Sequence, residues 1–132
     1  MRAVQHAMGI HEEALFAGVF PLAGGFLRMQ GTCGAVVSGL MGLAAFSKKY
    51  GRPWNEFNQW DTNRILETLG NLTAVYERCK EAMGGTVNCR EIVGVDLGSE
   101  EDALKYARSP QFETCCVNCG KVARIIVEAL FE

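Results

Sequence analysis

DTNRILETLGNLTAVYERCKEAMGG, residues 61–85, is the stretch that decides the fold. Ile65, Leu66, Leu69, Leu72, Val75, Tyr76, Cys79 and Met83 recur within it at spacings of three and four. That is the period of a helix with one apolar face, whereas a half-buried strand alternates every second residue. Asp61 can cap the helix by accepting from free amides of its first turn, and Asn55 is the cap if the helix starts earlier. Gly84 and Gly85 end the pattern, because glycine enters the left-handed conformation that closes a helix without steric cost. The spacing predicts a long amphipathic helix over about residues 61–83.

Reading outward, the rest of the chain is helical too. Residues 3–8 form the end of a first helix stopped at Gly9. Residues 11–20 continue as helix, with Leu15, Phe16, Val19 and Phe20 on one side, until Pro21 and Gly24-Gly25 break it. PLAGGFLRMQGT, residues 21–32, is a glycine-punctuated loop. A helix capped by Thr32 begins at Thr32 or Cys33 and is expected to run to about Tyr50. Lys48 and Lys49 would stand in its last turn, with Gly51 and then Pro53 as stops. Asn88 caps a short turn over residues 89–93. Ser99 with Asp102 resembles a capping box opening a helix over 100–107, although aspartate is not the preferred third residue. A final helix covers about residues 116–131, carrying Val117, Val122, Ile125, Ile126, Ala129 and Leu130. No alternation marks a strand longer than three or four residues. The expectation is a single all-α domain over residues 1–132, of about five to seven helices, with a glycine-rich loop ahead of the central Cys-Gly-Ala helix.

Composition narrows the function. Hydrophobic residues make up 48% of the 132, enough for a real core. Thirteen basic against 15 acidic residues leave a net charge of −2, without a block of like charge. That balance argues against nucleic acid or an anionic membrane as partner. The N-terminal MRAVQHAMGI lacks the apolar core of a secretion signal, and the longest apolar stretch, residues 34–46, is too short to span a bilayer. A soluble, cytoplasmic protein is expected.

Six cysteines then stand out: Cys33, Cys79, Cys89, Cys115, Cys116 and Cys119. In a reducing compartment, cysteines at short spacing serve as metal ligands or redox groups more often than as staples. Cys79 falls at a core position in mid-helix and reads as a small buried hydrophobe. The others stand at expected helix starts: Cys33, Cys89, and the CCVNC run that contains the Cys116–Cys119 CxxC. Unpaired amides and the positive dipole end at a helix start favour thiolate over thiol. Three such starts could converge and gather thiolates in one place.

Small residues follow Cys33 at helical spacing: Gly34, Ser38 and Gly42, with Ala35 and Gly39 beside them. This face invites close approach by another helix, from the same chain or from a second copy in a homodimer. His6 and His11, five apart, do not share a helix face well as metal ligands. Glu12 and Glu13 read as a solvated helix start. Trp54, Phe57 and Trp60 cover core or a dimer contact, or line a pocket. Ser38 has no His or Asp at a recognisable spacing, and there is no P-loop, GxGxxG or CxxCH.

GTCGAVVSGLMGL at 31–43, NCREIVGVDL at 88–97, and CC-x-x-C before the closing apolar helix together resemble the C-GCAxxG-C-C family of redox-active proteins. The resemblance runs from about residue 3 to the C-terminus. It implies a small helical domain, a redox role with electron transfer to a partner protein, and a plausible iron–sulfur centre. Of the four cysteines that name the family, Cys33 matches the central one and Cys89 the third. Cys115 or Cys116 matches the last, Cys115 slightly better by its spacing to Ala123. The first would fall at or just before Met1, where this chain has none: either the true start lies upstream, or one ligand is lost and Cys119 or the second of the Cys115-Cys116 pair could stand in.

Three readings follow. In the first, Cys33, Cys89, Cys115 and Cys119 hold an iron–sulfur cluster or similar thiophilic metal, with Cys116 as alternate. In the second, without metal, Cys116 and Cys119 cycle between dithiol and disulfide, and Cys33 or Cys89 is a partner thiol. The third is a structural or sensing module in which four thiolates hold zinc.

Overall fold

Seven α-helices form among residues 1–51 and 59–132, which are those described by the computed structural model. They are α1 (Arg2–Met8), α2 (Glu13–Gly18), α3 (Gly34–Phe46), α4 (Thr62–Ala82), α5 (Cys89–Val93), α6 (Glu100–Ala107) and α7 (Gln111–Phe131). A 3₁₀ turn, Phe20–Leu22, lies between α2 and α3. No β-strand occurs among the described residues, and the fold is all-α as expected. Pro53, Trp54, Asn55 and Phe57 lie outside the described residues.

Local chemistry sets several boundaries. The Asp61 carboxylate accepts from the amides of Asn63 (2.9 Å) and Arg64 (3.2 Å) and so starts α4. The Asn88 side chain accepts from Glu91 N at 3.2 Å, and Ser99 Oγ from Asp102 N at 3.3 Å. Gly9 and Gly94 close α1 and α5 in the left-handed conformation.

The main core lies where α3, α4 and α1 meet α7. Val4, Val36, Leu43, Val75, Cys79, Val122 and Ile126 are all buried there. Cys79 is the core residue its position implied. The small face of α3 makes this packing possible. A Cβ on Gly39 would sit 2.7 Å from Ile126 Cγ1, one on Gly42 3.0 Å from Val4 Cγ2, and one on Gly34 2.2 Å from the Leu22 carbonyl oxygen. The face is therefore filled by this chain's own α7, α1 and 3₁₀ turn.

Four expectations need correction. The helix after Cys33 ends at Phe46, not near Tyr50, because Ser47 is extended and a turn follows. That turn buries Tyr50 and sets Gly51 against the Ala44 carbonyl, where a Cβ would lie 2.0 Å from the oxygen. The last helix starts at Gln111 instead of Cys116, since nothing in Gln-Phe-Glu-Thr breaks it and Pro110 presets its entry. The helix expected over 11–20 shrinks to Glu13–Gly18, and its apolar side is not core: Leu15, Phe16 and Phe20 remain exposed. Leu66 and Leu69, at the start of α4, are also exposed, as is Val117 on α7.

Candidate functional site

Two of the cysteine-bearing helix starts are joined by backbone. Thr32 and Asn88 form an antiparallel bridge. Beside it, Cys33 N–H donates to the Val87 carbonyl and Cys89 N–H to the Gly31 carbonyl, each at 2.7 Å. Cys33 thus becomes the N-cap residue of α3 and Cys89 the first residue of α5, held side by side. Gly25 locks the glycine loop onto this clip. A Cβ there would meet Cys89 Cβ and Gly31 N at 2.8 Å, and its φ of +69° is one that glycine adopts without steric cost. Gln30, also buried, ties the loop to the next segment: its amide donates to the Val95 carbonyl (2.7 Å) and its side-chain oxygen accepts from Leu97 N (3.0 Å).

The third group comes from α7. Since α7 begins at Gln111, Cys115, Cys116 and Cys119 lie beyond its four unpaired N-terminal amides, and the helix-start argument does not apply to them. Position on the helix selects among them. Cys115 and Cys119, one turn apart, both line a cavity of about 780 Å³, together with Cys33 and Cys89. Cys116 is exposed and does not line it, so the Cys116–Cys119 CxxC is not the pair that faces the cavity. His6 and His11 are not on the wall either.

Tyr106 completes the arrangement. Its ring is buried with Cys89, Val93 and Leu97 and meets Phe112 edge-on, centroids 5.9 Å apart. Its hydroxyl donates to the Gln111 carbonyl at 3.5 Å and lies beside the Cys115 side chain. Hydrogen bonding from Cys119, helped by Tyr106 and opposed by burial, brings the Cys115 thiol down to about 6. The Cys119 thiol moves the opposite way, since losing its proton would forfeit that hydrogen bond and set a second charge beside Cys115. Burial, reinforced by Cys33 and Cys115, pushes Cys89 up to about 11. Burial also raises Tyr106 to about 12, so it stays a hydrogen-bond donor at neutral pH. At pH 7 Cys115 is therefore mostly thiolate, with a thiol donor beside it.

The same geometry bears on metal. Cys33, Cys89, Cys115 and Cys119 share one cavity, yet among the described residues no three His, Cys, Asp or Glu side chains converge closely enough to hold a metal ion. As placed, the four thiols do not fit a cluster or a tetrahedral ion.

A family model described as "Putative redox-active protein (C_GCAxxG_C_C)" matches residues 1–129, nearly the whole chain. The chain belongs to the C_GCAxxG_C_C family. The resemblance read from the TCGA, NCRE and CCVNC segments is thereby established, and with it membership of a family described by redox activity. No curated protein and no solved structure matches the chain. Among the described residues of this C_GCAxxG_C_C protein, no helix is long and apolar enough to cross a membrane.

Motif reading missed two residues at this site. Tyr106 lies on a separate helix, nine residues before Cys115, and carries no motif. Arg28 reaches the cavity wall only through an unusual loop conformation. Five consecutive residues, from Gly24 to Arg28, have φ between 49° and 72°. For Phe26, Leu27 and Arg28 this left-handed turn costs roughly 1–2 kcal/mol per residue.

Proposed function

We propose that this protein is a thiol–disulfide redox protein in which Cys115 attacks and Cys119 resolves. The observation that carries the reading is the Cys115–Cys119 pair, one turn apart on the cavity wall, with a lowered Cys115 thiol and a Cys119 thiol that keeps its proton. The Cys115 thiolate attacks one sulfur of a disulfide substrate. The substrate S–S bond breaks, a mixed disulfide forms, and the departing thiolate takes up a proton. Cys119 then loses its proton and attacks the Cys115 sulfur, releasing the second substrate thiolate, which is protonated in turn. The protein dithiol is oxidised by two electrons and the substrate disulfide is reduced to two thiols. Closing the Cys115–Cys119 bond draws their Cβ atoms to about 3.8 Å, closer than one turn of regular helix allows, so oxidation loosens α7 there. A dithiol protein of the cytoplasm would return the electrons.

Cys33 and Cys89 have supporting roles in this reading. Cys89, held as a thiol, stays unreactive at neutral pH and packs the floor beneath Gly25. Cys33 is half-buried and available as a further partner thiol.

A second reading draws on the sharing of one cavity by four thiols. Cys33, Cys89, Cys115 and Cys119 would hold an iron–sulfur cluster or zinc after closing in beyond their present positions. Thiol counting and elemental analysis on one anaerobic preparation separate the two. The thiol–disulfide reading expects two fewer titratable thiols after oxidation and no stoichiometric iron, sulfide or zinc. Equal thiol counts in both states would sink it, and stoichiometric metal would replace it with the second reading.

A further inference from the structure

The cavity in front of the thiol pair has the size and lining of a small-molecule site. Its volume of about 780 Å³ lies within the usual range for ligand pockets. Phe16, Phe20, Leu22, Leu97 and Phe112 supply an apolar wall. Phe16 and Phe20 remain substantially exposed, so their rings present this wall to solvent instead of filling core. Large apolar side chains left uncovered at the edge of a cavity mark a binding surface more often than a packing fault.

Charge selects among ligands. Among the described residues, two charged ones line the wall, Glu13 and Arg28. Glu13 is answered within the fold: its carboxylate lies 3.7 Å from the Arg2 guanidinium, which also stacks over the Phe16 ring at 3.8 Å. Arg28 has no ion pair among the described residues. The left-handed turn folds Arg28 back over Gly24, where an added Cβ would be 2.9 Å from Arg28 Cα, and both residues line the cavity. Guanidinium is the side chain best matched to a carboxylate, through two parallel N–H donors.

We infer that the cavity binds a small organic disulfide with an apolar, aromatic or alkyl body and a carboxylate, the body lying on Phe16 and Phe112 and the carboxylate on Arg28. This rests on the thiol–disulfide reading and names its substrate class. Polar disulfides, such as those of short hydrophilic peptides, would gain little from this wall. The chemistry is the exchange already written: the Cys115 sulfur bonds to one substrate sulfur, the substrate S–S bond breaks, and Cys119 displaces the second half as a thiol.

The test uses the full chain, reduced and anaerobic, with mass spectrometry following the mixed disulfide at Cys115. Three probes are compared: dithiobis(nitrobenzoate), aromatic with carboxylates; dithiodipyridine, aromatic and neutral; and hydroxyethyl disulfide, small and polar. Wild-type Cys115 should react with the dicarboxylate along a saturating concentration dependence. Arg28→Gln should slow that reaction about twofold to fivefold, the scale of one exposed ion pair, while leaving the neutral probes unchanged. Phe16→Ala, at an exposed position, should slow both aromatic probes and spare hydroxyethyl disulfide. If all three probes react with Cys115 without saturation and alike in wild type and both variants, the substrate assignment is overturned while the thiol–disulfide reading stands. If Cys115 reacts with none of them, both fall.

Discussion

Replacing Cys119 by alanine removes the group that does most to lower the Cys115 thiol. A hydrogen bond to a charged partner contributes about 1.5–3 kcal/mol, and 1.36 kcal/mol corresponds to one pKa unit, so the loss is worth roughly one to two units. Cys119 is exposed and water replaces part of what is lost, which favours the lower end, about one unit. The Cys115 midpoint should therefore rise from about 6 to about 7 in Cys119→Ala. Cys119→Ser keeps a hydroxyl donor at the same place and should stay near the wild-type midpoint, although serine cannot close a disulfide. Comparing the two variants separates the donor role of Cys119 from its resolving role. The assay is the pH dependence of iodoacetamide alkylation at Cys115, read by mass spectrometry, with thiolate ultraviolet absorbance as a second measure. An unmoved midpoint in Cys119→Ala, or a rise in Cys119→Ser as large as in alanine, would refute the assignment of Cys119 as donor.

Stability should follow the same groups. With its folded pKa lowered from about 9 to about 6, Cys115 adds stability that is fully present above pH 9 and is lost as pH falls through 6. Cys89, raised to about 11, acts in the other sense: its contribution is present below pH 9 and fades as pH rises toward 11. The melting temperature should thus climb from pH 6 toward 9 and decline above it, and Cys115→Ser should flatten the rising limb in a calorimetric series. Gly25→Ala forces a Cβ to 2.8 Å from Cys89 Cβ at a positive φ. It should cost roughly 2–4 kcal/mol in urea unfolding. Cys79→Ala, in the core and away from the cavity wall, should lower stability by about 1–2 kcal/mol and leave the thiol count on oxidation unchanged.

The parts of this structure legible in the sequence are those set by chemistry within one turn of chain. Asp61, Asn88 and Ser99 cap their helices through side-chain atoms two or three residues from the amides they satisfy, and Gly9 stops α1 by its own backbone freedom. The helical period of residues 61–83 and the small face of α3 likewise need no knowledge of distant partners. What was illegible depends on tertiary neighbours. The end of α3 is decided by burial of Tyr50 and the contact of Gly51 with Ala44. The start of α7 is open in the sequence because glutamine, phenylalanine and glutamate all tolerate a helix.

The site divides in the same way. Cys33 and Cys89 are found at the helix starts where they were expected, joined by a bridge between residues far apart in sequence. Cys115 is acidic for a different reason from the one its motif suggested. It lies past the free amides of α7, and its charge is supported by Cys119 one turn on and by Tyr106 from another helix. CxxC spacing pointed to Cys116 with Cys119, whereas the face of the helix pairs Cys115 with Cys119. Arg28 reaches the wall through a left-handed turn of three non-glycine residues, a conformation that residue preferences argue against.

The most direct test of the central claim is disulfide mapping of the full chain, equilibrated anaerobically in a redox buffer and trapped with an alkylating reagent. A Cys115–Cys119 disulfide that forms and disappears with the buffer potential, and is absent from Cys115→Ser, is the predicted result. Six free thiols at every potential, or a disulfide joining a different pair, would contradict it.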